Sequence, residues 1–335
     1  MTRKLQTAGA ALAVALAMTG AAAAEFLPAL VSYGPKYDQS FNEMAYLGAD
    51  RFKKTYATRY LEIQIAAEAQ KEQALRAMVR RGANMVIALG FAFRPAVETV
   101  AREFPAVKFA IIDSEAKGAN VSSTLFRQEE GSFLVGMAAA LKSESGKVGF
   151  IGAMDVPLIR SFGCGYAQGV KHVAKGTTIV RNTIGNTPAA FYDPGRGGEI
   201  ARSQFDRGVD VIFAAAGPSS VGMMEQAKAG GRFFIGVDSN QNHLYPGTML
   251  TSMVKRADNA VFAVMKAGRE GRWRPGLQTL GLKEGGVDWA LDSHNRALVT
   301  AKVEKRLNAA RDDIVAGRLK VVDYRTHNRC PVAGS

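Results

Sequence analysis

NMVIALGFAFRPAVETVAREFPAVKFAIID, residues 84–113, reads as a strand, a helix and a second strand. NMVIALG (84–90) is a short apolar run closed by glycine, the pattern of a strand covered on both faces. RPAVETVAREF (94–104) spaces its apolar residues as a helix does. Pro95 falls in its first turn, where a missing N–H costs nothing. VKFAIID (107–113) is again a strand. Such a unit predicts parallel strands joined by a right-handed crossover.

The same grammar extends in both directions. Toward the N-terminus lie strand FLPALVSY (26–33), a turn at Gly34 and Pro35, a helix over 41–54, strand YLEIQIA (60–66) and helix KEQALRAMVRRG (71–82). Toward the C-terminus, helix EEGSFLVGMAAALK (129–142) is followed by SESG (143–146), and the pattern restarts. KVGFIGA (147–153), TIVRNTI (178–184), VDVIFAAAG (209–217), RFFIGVD (232–238) and TMLTSMV (248–254) read as strands. Between and after them, 157–174, 197–208, 219–230 and 257–268 read as helices. Two α/β halves of similar size predict two doubly wound lobes with a boundary near 143–146 and a ligand cleft at the carboxyl ends of the strands.

The first 24 residues have the layout of a secretory signal: basic Arg3 and Lys4, an apolar run from Ala8 to Met18, and the small-residue site Ala22-x-Ala24. The run is about half the roughly 20 residues that span a bilayer. Cleavage there leaves 311 residues and no cysteine at the new terminus, which implies an exported, periplasmic protein without a lipid anchor. The formal charge of +13 falls to +11 without Arg3 and Lys4. Its lysines and arginines are scattered, the pattern of a solvated basic surface rather than a nucleic-acid site, with attraction to an anionic membrane surface as the alternative. Cys164 and Cys330 are the only cysteines and, after export, are candidates for a disulfide; two buried free thiols are the alternative. Neither cysteine has clustered histidines, so a zinc site is not expected. No cofactor is expected either.

The loops after the strands carry the candidate site: Asp38, Ser40, Phe41 and Asn42 after the first strand, then Gly90, Phe91 and Phe93, and Asp113. In the second half come Asp155, Phe191, Asp193, Gly217, Ser219, Asp238 and Lys255. Each has a plainer reading. Asp38 or Ser40 can cap the first helix, Phe41 and Phe191 can be core, Asp193 before Pro194 has the position of a turn and N-cap residue, and Asp238 with Lys255 can be a structural ion pair. As a set they fit a flat, hydroxylated, uncharged ligand. Two aromatic faces stack a ring, and carboxylates accept from ring N–H, amino or sugar hydroxyl groups. No phosphate cradle of the GxxxxGK[ST] or GxGxxG kind is present.

DQSFNEMAYLGADRF, RQEEGSFLVGMAAAL, VGFIGAMDVPLIRSFGCGYAQGV, FYDPGRGGEIARSQFDRGVDVIFAAAG and GVDSNQNHLYPGTMLTSMVKR together resemble the basic membrane protein family of purine-nucleoside-receptor-like ABC-transporter binding proteins. The resemblance runs from about residue 28 to about 270. It implies a type I periplasmic-binding fold with a hinge, 25–144 plus about 255–283 forming one lobe and 145–254 plus about 284–335 the other. It implies a monomer that captures a nucleoside between closing lobes for a membrane permease. By position, Phe41 would stack on one face of the base and Phe191, from the opposite lobe, on the other. Asp38 would bond the base edge, with Asn42 nearby. Asp238 and Lys255 would hold the ribose, Gly217 would lend a backbone contact, and Asp113 matches a family aspartate. The chain departs from the family at its mature start, which lacks a lipidated cysteine, and at Pro218 and Ser219 after VIFAAAG, on the sugar side. A free nucleobase or another flat heterocycle therefore stays open as ligand.

Two other classes compete. A nucleoside-hydrolase type of enzyme would use clustered aspartates with a metal, but here they stand one per strand end, with no DxD-like cluster or histidine pair. No Ser/His/Asp order or activated cysteine is evident. The sensing core of a transcription regulator would need a DNA-binding headpiece ahead of residue 25, where the signal segment stands.

Overall fold

A computed structural model describes residues 25–332; the signal segment read in the sequence, with its cleavage site, lies outside them. The first stretch runs β1 (Pro28–Tyr33), α1 (Phe41–Tyr56), β2 (Leu61–Ile65), α2 (Lys71–Arg80), β3 (Met85–Leu89), α3 (Arg94–Glu103), β4 (Lys108–Ile112) and β5 (Val121–Phe126). The second runs α4 (Gln128–Lys142), β6 (Lys147–Met154), α5 (Pro157–Val173), β7 (Thr178–Gly185), α6 (Pro194–Asp206), β8 (Val211–Ala215), α7 (Ser220–Ala229), β9 (Phe233–Asp238) and β10 (Met249–Lys255). The chain ends with α8 (Ala257–Arg269), β11 (Gly276–Leu280), β12 (Val287–Trp289), α9 (Ala301–Val315) and α10 (Tyr324–His327).

The strands form two six-stranded sheets, ordered β11-β5-β4-β3-β1-β2 and β12-β10-β9-β8-β6-β7. Every neighbour is parallel except β12, which runs antiparallel to β10. Central strands MVIAL (β3) and VIFAA (β8) are buried at every residue because helices cover both faces of each sheet. The two orders correspond strand for strand, so β4 and β9 hold the same place in their lobes. The two doubly wound lobes expected from the sequence are present.

The chain crosses between the sheets three times, at 126–128, 255–257 and 280–287. The first crossing comes earlier than the 144 expected from the sequence. Helix α4 packs on α5, β10 and β12 and so belongs to the second lobe. Its residues are apolar around most of its circumference, so periodicity could not assign it to one sheet. The contact with α5 is close because glycines remove side chains: a Cβ on Gly136, Gly165 or Gly169 would lie 1.9–2.3 Å from a carbonyl oxygen of the facing helix. Cys164 of α5 is joined to Cys330 of the tail as a disulfide, with Cα atoms 5.6 Å apart.

Candidate functional site

The loops at the carboxyl ends of β1, β3 and β4 face those of β7, β8, β9 and β10 across a cleft that, mouth included, holds about 810 Å³. Asp38, Phe41, Asn42, Phe91, Asp113, Phe191, Gly217, Asp238 and Lys255 all line it.

On the first lobe, Asp38 organises the start of α1. Its Oδ1 accepts from the backbone N–H of Ser40 (2.9 Å) and Glu43 (3.0 Å), and its Oδ2 from that of Asn42 (3.0 Å). Burial pushes its carboxyl up to about 6, against the pull of these three bonds. The capping reading of Asp38 therefore describes its bonds, while its position keeps it in the cleft wall. Asn42 donates its amide to the carbonyls of Tyr33 (2.9 Å) and Pro35 (3.0 Å), which pins the loop between β1 and α1. Ser40, the other capping candidate, makes no side-chain cap. Its Oγ instead donates to Asp238 Oδ2 across the cleft at 2.7 Å.

Asp113 and Asp238 close β4 and β9, and both have left-handed backbones, with φ of 73° and 65°. An L-residue reaches this region at a cost, and a short polar side chain tolerates it best. The turn brings both carboxylates to one ammonium. Lys255 Nζ lies 2.6 Å from Asp113 Oδ2 and 3.7 Å from Asp238 Oδ1. The expected Asp238–Lys255 pair is thus the longer of two, and Asp113 is the nearer partner. Lys255 also sits 5.1 Å from the centroid of Phe41, 5.5 Å from Phe126 and 5.0 Å from Phe162, so aromatic faces help hold the buried charge. Burial raises the Asp238 carboxyl, and the nearby Lys255 charge and the Ser40 bond draw it back. The Asp113 Oδ1 is buried and, among the described residues, has no hydrogen-bond partner. A buried acceptor in that condition is costly unless something donates to it.

The aromatic wall comes from both lobes. Phe191, in the turn after β7, meets Phe91 of the first lobe at a centroid distance of 6.4 Å and an interplanar angle of 54°. Phe41 and Phe191 both line the cleft from opposite lobes, but the ring packed against Phe191 is Phe91. Gly217 follows β8 with φ of 53°, and a Cβ there would sit 3.5 Å from the Phe191 ring. The remaining candidates fall elsewhere. Phe93 is in the core of the first lobe. Asp193 caps α6 by accepting from Arg196 N–H at 2.9 Å. Ser219 donates to the Ala190 carbonyl and accepts from Asp193 N–H. Asp155 is an exposed partner of Arg160 outside the cleft.

Several cross-cleft groups were not singled out in the sequence. Tyr192 OH donates to the Tyr33 carbonyl at 2.9 Å. Gly34 leaves room for it, since a Cβ there would lie 2.2 Å from the hydroxyl. Gln39, at φ of 56°, turns its carbonyl to accept from Ser239 Oγ (2.6 Å) and Gln241 Nε2 (2.9 Å) of the second lobe. The lobes are therefore closed on one another. Among the described residues no group of three or more His, Cys, Asp or Glu is placed to hold a metal ion.

Two parallel-sheet lobes closed over an aromatic cleft with a charged floor invite comparison with known proteins. The sequence model of the family described as "ABC transporter substrate-binding protein PnrA-like" (Bmp) matches residues 28–323. The chain belongs to this family. Basic membrane protein A of Borreliella afzelii is 30% identical over 298 residues, covering 85% of this chain and 88% of the relative. An uncharacterized lipoprotein of Pyrococcus abyssi is 31% identical over 308 residues, covering 87% and 75%. The crystal structure of an ABC transporter solute-binding protein from Aeropyrum pernix K1 superposes with a TM-score of 0.81 at 28% identity, covering 90% of this chain and 95% of that one. This Bmp-family chain has the type I periplasmic-binding fold and is an ABC-transporter substrate-binding protein. A transcriptional activator from Bacillus halodurans, with a TM-score of 0.73 at 24% identity over 92% of this chain, shares the fold.

Proposed function

We propose that this protein captures a nucleoside of the purine class between its lobes and delivers it as a monomer to an ABC permease without catalysing a reaction. The observation that carries the reading is the division of the cleft. One part is aromatic, from Phe41, Phe91 and Phe191, and suits a flat base. The other holds Asp113, Asp238 and Lys255, with the Asp113 Oδ1 lacking a donor among the described residues, and suits vicinal hydroxyls. A base edge would meet the Asp38 and Asn42 side of the wall. Closure brings Asp238, Phe191 and Gly217 against Phe41, Phe91 and Asp113, so neither lobe alone offers the whole set.

Mass spectrometry of small molecules released by denaturing the purified protein tests the ligand class. A purine nucleoside in stoichiometric amount is expected. A free base, or a molecule with no planar ring, would overturn the assignment of the charged floor to ribose.

The protein is further proposed to be exported and cleaved near Ala24. Relatives from Pyrococcus abyssi and Pyrococcus furiosus are named as lipoproteins, which runs against the sequence expectation of a protein without a lipid anchor. N-terminal sequencing of the exported protein should read from at or near Glu25. A retained membrane-embedded segment over residues 8–18 would contradict it.

A further inference from the structure

Behind the floor of the cleft the C-terminal tail meets the first crossing between the lobes. Phe126 is the last residue of β5, a strand of the first lobe, and its ring lies under the Lys255 ammonium. Its carbonyl accepts from Arg325 Nη2 at 2.7 Å. Arg325 belongs to α10, which packs on α5 of the second lobe. Its side chain is 18% exposed, and its guanidinium is shared with Asp323 (2.8 Å) and Glu129 (3.7 Å), the latter at the start of α4 just past the crossing. With its amide turned so that the nitrogen faces the Phe126 carbonyl, Gln128 would accept from Arg325 at 3.3 Å through its amide oxygen. The tail is itself fastened to α5. Gln168 holds both the N–H and the carbonyl of Val322 at 2.9 Å, Ser161 Oγ bonds Asp323, and Cys330 is bridged to Cys164.

We propose that Arg325 is a positioning residue for ligand capture, tying the second lobe to the carbonyl end of β5 at the crossing, and that the Cys164–Cys330 bond keeps it in place. Movement between the lobes must turn the backbone at 126–128, and Arg325 clamps that backbone from the second-lobe side. The same carbonyl belongs to the residue whose ring carries Lys255. Loosening the clamp therefore frees the crossing and the Lys255–Asp113–Asp238 floor together. The inference rests on the cleft being the capture site, and not on the ligand being a nucleoside.

Its test reads lobe separation and ligand exchange in the full mature chain. Fluorophores on noncanonical residues at Leu47 of α1 and Glu199 of α6 report the distance between lobes without ligand. Stopped-flow mixing with guanosine reports association and release. Arg325→Ala, and separately the double variant Cys164→Ser with Cys330→Ser, should shift the ligand-free distribution toward separated lobes. Each should speed guanosine release about tenfold, the worth of roughly one charge-assisted hydrogen bond, with association little changed. Arg325→Lys keeps the charge without the fork, so it should fall between wild type and Arg325→Ala. Lowered melting temperatures with unchanged lobe distances would overturn the proposal, since a merely structural tail would behave so. Should Arg325→Ala fail to fold, Arg325→Lys carries the same reading. Should guanosine not bind the wild-type protein, the ligand-free distance measurement still decides the clamp.

Discussion

Asp238 is the side chain on which the ligand reading bears hardest. It ends a buried strand in a left-handed conformation, accepts from Ser40 across the cleft and stands 3.7 Å from Lys255. Asp238→Asn keeps its size, removes the charge and replaces an acceptor by a donor. It should weaken nucleoside binding by about 2–3 kcal/mol, the scale of a lost charged hydrogen bond, and free-base binding much less. Titration calorimetry against both ligands checks this; equal losses would place Asp238 at the base or in the scaffold. Phe91 and Phe191 touch across the cleft, so Phe91→Ala or Phe191→Ala should cost about 1–3 kcal/mol of affinity and leave ligand-free melting nearly unchanged. A variant that unfolds but retains affinity would return that ring to the core. The strand-end rule brought these residues into view, because a parallel sheet presents its loops at one edge. It could not say which loop of one lobe meets which of the other. The nearer partner of Lys255, the reach of Ser40 to Asp238 and the Phe91–Phe191 contact all depend on that meeting and became visible only in three dimensions.

Among the elements, α4 and α5 make the most extensive contact, and it is set by residues without side chains. A Cβ on Gly169 would lie 1.9 Å from the Phe133 carbonyl oxygen, which is backbone and cannot swing away. Gly169→Ala should destabilise the fold by about 1–3 kcal/mol or more, read as a shift in denaturant midpoint. At the head of α4, burial and the nearby Asp323 charge push the Glu129 carboxyl up to about 8, with Arg325 pulling the other way. Its ordinary value is 4.5, so between there and about 8 the folded chain holds a proton that the unfolded chain gives up. The stabilisation from this group is complete below pH 4.5 and lost as the pH rises to about 8. Ligand-free protein should melt lower at pH 8 than at pH 5.5, and Glu129→Gln should flatten that slope, a difference of order a few kcal/mol at most. A slope unchanged by Glu129→Gln would assign it to other groups. The long helices and central strands were legible because their periods are unambiguous. β5, β11 and β12 were not: VSSTLF is half polar, GLQTL is largely exposed, and VDW has three residues. Each lies toward one side of its sheet, where pairing partners rather than local pattern define a strand.

At the scale of the whole molecule, three crossings join two lobes of matching strand order, and every cross-cleft bond described is made between loops at the carboxyl ends of strands. Repetition of the α/β pattern made the two lobes readable. The place of the first crossing was not, because α4 is buried nearly all round and either sheet could have received it. Under the proposed function, ligand and lobe contacts would form together, and reopening would release the ligand. Titration calorimetry of protein unfolded and refolded to strip ligand, against guanosine, adenosine and inosine beside ribose and glucose, tests this most directly. The account predicts one site per chain, with a Kd at or below about 1 µM for at least one purine nucleoside, equivalent to roughly 8 kcal/mol, and no measurable binding of either sugar. Tight binding of a sugar with no binding of any nucleoside would contradict it.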